Sequence, residues 1–218
     1  GHVAGLPDAD GAAGGDPGPS TALGVFLGVE AAAKHRLKRD DVQGLTVAIQ
    51  GVGSVGGSLA RRLVAAGAQV VVADIVIGKA EALAAELGCR VVAPDRTMRE
   101  PADIFSPCAL GAILDRDSLA ALQVAAVAGA ANNQLAGPGD GQRLFDRGIT
   151  YAPDYVINAG GIINVALEYL GQGSREEVES RIHLIPGRLA EIWADSKASG
   201  TPASVVADRM AQKLIGRG

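Results

Sequence analysis

Ile49-Gln50-Gly51-Val52-Gly53-Ser54-Val55-Gly56-Gly57, with Asp74 eighteen residues past Gly56, is the stretch that decides the fold. It follows a short apolar run at 45–50 and opens a helical pattern over 54–66 that ends at Gly67. Each glycine has a job in that setting. Gly51 permits the tight turn out of a strand, and Gly53 lets backbone approach a diphosphate with no side chain between. Gly56 lets the helix lie close on the strand. The free N–H groups and positive dipole end of a helix starting at Ser54 then face an anion. Gly-x-Gly-x-x-Gly is common by chance. Here the preceding strand, the following helix and an acid at the end of the next strand give it the context of a dinucleotide seat. A carboxylate at Asp74 accepts from the adenosine ribose hydroxyls and repels a 2′-phosphate, and Ile75 supplies no compensating base. NAD is therefore expected over NADP, with Lys79 the one nearby cation that argues otherwise.

Outward from that turn, short apolar runs alternate with helical patterns. Strands are expected at 69–73, 90–93, 103–106, 124–128 and 149–151, with a second helix at 77–87 ending at Gly88. Continuous apolar runs between helices are what a parallel sheet buried on both faces requires. The fold class is α/β: a doubly wound, Rossmann-type, mostly parallel sheet with flanking helices and a C-terminal helical segment. Residues 1–20 are rich in Gly, Pro and Asp and read as a connecting loop, and a helix is expected from Thr21 to about Arg39. The dinucleotide-binding domain is expected over 21–170. Helices over 171–218 pack on it or reach across its cleft. Ser174 and Glu177 have capping-box spacing, Pro186 is expected to bend or break the helix they open, and Thr201-Pro202 is expected to start the last one, with Thr201 as its cap.

The composition excludes several function classes. The chain has 218 residues, 48% of them hydrophobic, and a net charge of -4, enough apolar material for a core but no basic surface for nucleic acid. The run Lys34-His35-Arg36-Leu37-Lys38-Arg39 sits where a helix ends, where cations are favourable in any case. Cys89 and Cys108 lack metal-ligand spacing, so no metal site or disulfide framework is expected, and a reducing cytoplasm fits. No apolar run reaches membrane-spanning length. His2, His35 and His183 are poorly placed for catalysis, the last two reading as helix-surface residues. Cys108 reads as a small buried hydrophobe rather than a nucleophile.

Ligands of such sheets sit beyond the strand ends, which directs attention to three loops: 106–110, 129–134 and 152–161. Asn132, Asn133 and Asn158 have carboxamides suited to a carboxylate, a ribose or a nicotinamide, although each also has an ordinary reading as a turn former or helix cap.

Several motifs in order then resemble one family. They are Gly5-Leu6-Pro7, the run Gly15-Asp16-Pro17-Gly18-Pro19-Ser20-Thr21-Ala22-Leu23-Gly24-Val25, the Gly51–Gly56 turn, Pro107-Cys108-Ala109-Leu110-Gly111, Asn132-Asn133-Gln134-Leu135, and Tyr151 through Gly161 with Pro153-Asp154-Tyr155 and Asn158-Ala159-Gly160-Gly161. Together they resemble the leucine/valine/phenylalanine dehydrogenase family, and Gly160-Gly161-Ile162-Ile163-Asn164-Val165 is similar to its leucine and valine branches. The resemblance implies oxidative deamination of a hydrophobic L-amino acid to its 2-oxo acid, with ammonia released and NAD reduced. It implies a cofactor held by Gly51, Gly53, Ser54, Val55, Gly56, Asp74 and Ile75, flanked by Cys108 and Ala109, with Thr21, Ala130, Ala131 and Asn132 near the nicotinamide and its ribose. Asn158 would orient cofactor and substrate, and Ile162 and Val165 would line the side-chain pocket.

The same resemblance implies an N-terminal substrate and oligomerisation domain with a lysine-bearing, glycine-rich segment and a catalytic aspartate. No such segment holds Lys34, Lys38, Lys79, Lys197 or Lys213, and the family's C-terminal tail looks shortened. Amine deprotonation and water activation need a group of tuned pKa, which cofactor positioning does not supply. The expectation is a chain without catalytic residues of its own, inactive alone and a monomer or weak dimer, whose parent is a homo-oligomer. Two alternatives remain open on sequence: a non-catalytic NAD-binding or sensor module, and one subunit of a split dehydrogenase.

Overall fold

Six parallel strands alternate with helices in the computed structural model, which describes residues 16–170 and 174–216. The chain enters through α1 (Gly18–Ala32), which runs on into a π-helical turn over Ala33–Leu37. The first half of the sheet is β1 (Thr46–Gln50), α2 (Ser54–Ala65), β2 (Gln69–Ala73), α3 (Ile77–Leu87) and β3 (Arg90–Val91). A 3-10 turn over Pro94–Arg99 leads to the second half: β4 (Ile104–Pro107), α4 (Arg116–Ala121), β5 (Ala126–Val127), α5 (Asp140–Asp146) and β6 (Thr150–Tyr151). Then come α6 (Asp154–Ile157), α7 (Gly160–Tyr169), α8 (Arg175–Ile182), α9 (Ile185–Ser199) and α10 (Ala203–Leu214).

The strand order is β3-β2-β1-β4-β5-β6, so the chain leaves β1 in one direction and returns to its other side at β4. That reversal is the switch point of a doubly wound sheet, where the loops at the carboxyl ends of β1 and β4 diverge and leave a crevice. Alternation along each strand divides the core between two faces. Val47 and Ile49 of β1, Ile104 of β4 and Ala126 of β5 face the layer containing α1, α2 and α3. Ala48, Phe105 and Val127 face the layer of α4 and α5, with Leu119 and Leu144. Each large side chain buried this way contributes roughly 1.5–3 kcal/mol. Val178, Ile182, Leu189, Ile192 and Val206 of the last three helices join the first of these clusters. The outer strand β6 is packed by α5 and α10 and tied to α9, whose Trp193 donates its indole N–H to the Tyr151 carbonyl at 2.8 Å.

Four local expectations are revised. The first helix begins at Gly18 rather than Thr21, because Asp16 accepts the Gly18 N–H at 2.9 Å and Pro19 occupies a first-turn position where no N–H is needed. The loop expected over 1–20 therefore ends before Gly18, and its part up to residue 15, with Gly5-Leu6-Pro7 and His2, lies outside the described residues. Thr201 is not the cap of α10: Pro202 holds that position, and the Thr201 side chain turns back to the Ser199 carbonyl. The break near Pro186 falls at His183-Leu184, with Pro186 in the first turn of α9. His35 is half-buried, its ring centroid 4.9 Å from that of Trp193, rather than a helix-surface residue.

Candidate functional site

The carboxyl ends of β1, β2, β4, β5 and β6 share one edge of the sheet, because every pairing is parallel. Gly51 leaves β1 at φ +91°, in the left-handed region, with its N–H on the Ala73 carbonyl at 2.7 Å. A Cβ there would lie 2.6 Å from the Cβ of Ala109, so the two sides of the switch point touch at this glycine. A Cβ on Gly56 would lie 1.9 Å from the Gly51 carbonyl oxygen, which is how closely α2 rests on the turn. Around Gly53, by contrast, a Cβ would meet nothing within 4 Å. Two glycines close the fold and the one between them opens outward. Gly53 caps α2, and the first-turn N–H groups of Ser54, Val55 and Gly56 have no intrahelical partner. These donors and this opening fit a dinucleotide diphosphate.

Asp74 ends β2 and uses both carboxylate oxygens on backbone, accepting from Val52 N–H at 2.8 Å and Val76 N–H at 2.9 Å. It therefore ties the glycine turn to the next loop, and the remaining lone pairs stay available to hydroxyl donors. Ile75 beside it is 86% exposed, a flat apolar surface at the same edge.

Cys108 follows β4, its N–H on the Gln50 carbonyl at 2.7 Å and its Sγ 3.5 Å from Ser106 Oγ. Burial pushes its thiol pKa up, against any thiolate role. The loop after β5 is pinned from three sides. Ala131 N–H donates to the Pro107 carbonyl, and Asn158 Nδ2 donates to Ala130 O at 3.1 Å and to Asn132 Oδ1 at 2.7 Å. Buried Gln134 donates to the carbonyls of Gly129 and Ala131, both at 2.9 Å. Thr21 bonds the Pro17 carbonyl at 2.9 Å, and a Cβ on Gly161 would meet its Oγ1 at 2.4 Å. A Cβ on Gly160 would meet the Ser20 carbonyl oxygen at 2.1 Å, so the glycine pair lets α7 start against the first turn of α1. Ile162 and Val165 lie three apart on α7, the first 67% exposed and the second half-buried.

Three residues that sequence reasoning left aside belong to this edge. Asp16 accepts from Ser54 Oγ at 2.6 Å and from Gly18 N–H, which sets a carboxylate beside the first turn of α2 and holds its pKa below the usual range. Its place just before a Gly-Pro helix start is a capping signal. Asp154 accepts the Asn133 N–H and so fixes a residue at φ 51° in the β5 loop. Gln134 is fully buried. The bond of Asp154 joins segments 21 residues apart whose contact no local pattern announces, while those of Gln134 stay within the loop after β5.

A parallel sheet of this order, with a glycine turn and helix N-terminus at its switch point, defines a dinucleotide-binding α/β protein. The family model described as Glutamate/Leucine/Phenylalanine/Valine dehydrogenase matches residues 77–213, and the chain belongs to that family. A second model, NADP oxidoreductase coenzyme F420-dependent, matches 46–105, the segment around the glycine turn. Leucine dehydrogenase from Thermoactinomyces intermedius is 42% identical over 98% of this chain, which spans 58% of that relative. The crystal structure of L-tryptophan dehydrogenase from Nostoc punctiforme superposes with a TM-score of 0.89 at 41% identity, covering 93% of this chain and 62% of that one. The hetero-hexameric glutamate dehydrogenase from Thermus thermophilus, in its Leu-bound form, superposes with a TM-score of 0.74 at 25% identity, covering 99% and 57%. The family uses a nicotinamide cofactor, and the chain spans under two thirds of each of these relatives. Among the described residues no helix is long and apolar enough to cross a membrane.

Proposed function

We propose that this chain is the NAD-holding part of an amino acid dehydrogenase that oxidatively deaminates a branched-chain or other hydrophobic L-amino acid to its 2-oxo acid and ammonia. The observation that carries the reading is the opening at Gly53, with unpaired α2 N–H groups below it and Asp74 across the β1–β2 end. NAD, when bound, accepts the hydride from the substrate α-carbon. Gly53 and the N–H groups of Ser54, Val55 and Gly56 would hold its diphosphate, and Asp74 and Ile75 its adenosine. Cys108 and Ala109 border the middle of the crevice. Thr21 and the loop 130–132, fixed by Asn158, border the nicotinamide end. Asp74 supports NAD over NADP, since a second anion beside a carboxylate already bonded to two N–H groups is repelled.

The exposed apolar face of Ile162 and Val165 suits an aliphatic or aromatic side chain and supports a hydrophobic substrate. Among the described residues no lysine lies at the nicotinamide end of this edge. Lys34 and Lys38 lie at the far end of the α1 segment, Lys79 in the first turn of α3, and Lys197 and Lys213 in the last turns of α9 and α10. The chain is accordingly proposed to bind NAD without turnover by itself. Assembly of the amino acid dehydrogenase into a homo-oligomer is proposed, with this chain by itself a monomer or weak dimer.

Two incubations test this, each following the absorbance of reduced cofactor with L-leucine, L-valine or L-phenylalanine as substrate. The chain alone is expected to give no NADH. A fusion to the part of the Thermoactinomyces leucine dehydrogenase that it does not span is expected to give NADH. Turnover proportional to the concentration of the chain alone would contradict the division of labour. A folded, NAD-binding fusion inert toward all three amino acids would contradict the substrate class.

A further inference from the structure

A second cavity of about 460 Å³ opens at the amino end of β6, on the side of the sheet opposite the nucleotide edge. Its walls come from five parts of the chain: the π-helical turn, α5, β6, α9 and the start of α10. Phe145 and Trp193 supply aromatic surface, and the His35 ring packs against Trp193 at a tilt of 35°. Arg36 and Lys197 enter from different elements, and no Asp or Glu lines the cavity. Among the described residues neither cation has an ion-pair partner, and Arg36 is held in place by its bond to the Gly148 carbonyl at 3.0 Å. Ser204, in the first turn of the twelve-residue α10, brings an uncapped helix N-terminus to the same wall. Two cations outside any ion pair, with Phe145, Tyr151 and Trp193 around the same space of ligand size, make an amphiphilic anion site.

We propose that this cavity binds a small monocarboxylate with an apolar body, its carboxylate between Arg36 and Lys197 and its hydrocarbon against Phe145 and Trp193. His35 suits the boundary between the two halves. Burial, with Lys38, Lys197 and Arg36 nearby, keeps its pKa below the usual histidine value, so the ring is neutral and can donate one hydrogen bond while packing on the indole. The site is separate from the nucleotide seat and does not depend on the proposed reaction.

Trp193 is the one tryptophan of the chain, so its emission reports this cavity. Titration with hexanoate is expected to give a saturable change in that emission. Hexanol, which lacks the charge, and inorganic phosphate, which lacks the apolar body, are each expected to bind roughly tenfold more weakly or worse. Lys197→Gln, at an exposed position outside every ion pair among the described residues, is expected to weaken hexanoate by roughly tenfold while leaving the thermal midpoint in place. Arg36→Gln is expected to act in the same direction, and Lys197→Gln decides if that variant does not fold. A non-saturable response, equal binding of hexanol or phosphate, or a Lys197→Gln protein that binds hexanoate unchanged would overturn the proposal.

Discussion

Asp16 is the residue whose position has the most direct consequence for binding. Its carboxylate stands at the first turn of α2 through Ser54, so an incoming diphosphate meets a negative charge as well as helix N–H groups. Asp16→Asn keeps an acceptor for the Gly18 N–H and removes the charge. NAD affinity, read by calorimetry, is expected to rise by roughly twofold to fivefold, the scale of one screened surface charge. Unchanged or weakened binding would separate Asp16 from the phosphate path. His35 gives a second prediction at this scale. Its pKa in the folded chain is lowered, chiefly by burial, from an ordinary value near 6.5. As pH falls below that value the unfolded chain takes up a proton that the folded chain refuses, so the stability present above it is lost on acidification. Thermal midpoints measured about one pH unit either side of the ordinary value are expected to be lower on the acid side. His35→Gln is expected to reduce that difference.

The elements set how closely strand and helix approach. Gly51 combines a positive φ with a neighbour 2.6 Å from where its Cβ would be. Gly51→Ala is therefore expected to cost roughly 1–3 kcal/mol of stability, and NAD affinity is expected to fall with it. Denaturant melts and calorimetry on one preparation would check both, and an alanine variant of native stability would be inconsistent with the turn. The first βαβ half was legible because its signals are local. Ile77–Leu87 and Gln69–Ala73 end where an apolar run meets a glycine or an acid. The short helices were not. Arg116–Ala121 and Asp154–Ile157 are too brief to establish a 3.6-residue period, although Asp115 and Ser118 form a reciprocal capping box that could have marked the first of them. Thr201 looked like a cap because it precedes Pro202, yet the proline itself holds the capping position. The tight turn into α2 was legible at Gly51, Gly53 and Gly56. The bond between Asp16 and Ser54 spans 38 residues, and no sequence pattern carries that information.

At the scale of the molecule, the two halves of the sheet diverge at the β1–β4 junction, and that crevice is where the cofactor is proposed to lie. The same architecture places the carboxyl-end loops, the α7 apolar face and the opening at Gly53 on one edge, while the carboxylate cavity sits at the other. Everything proposed about turnover rests on one prior event, the seating of NAD at Gly53 with Asp74 choosing it over NADP. Isothermal titration of the chain with NAD and, separately, with NADP measures that event directly. One site per chain is expected, filled by NAD at least roughly tenfold more tightly than by NADP, a difference of about 1.4 kcal/mol. No saturable binding of NAD, or tighter binding of NADP, would contradict it.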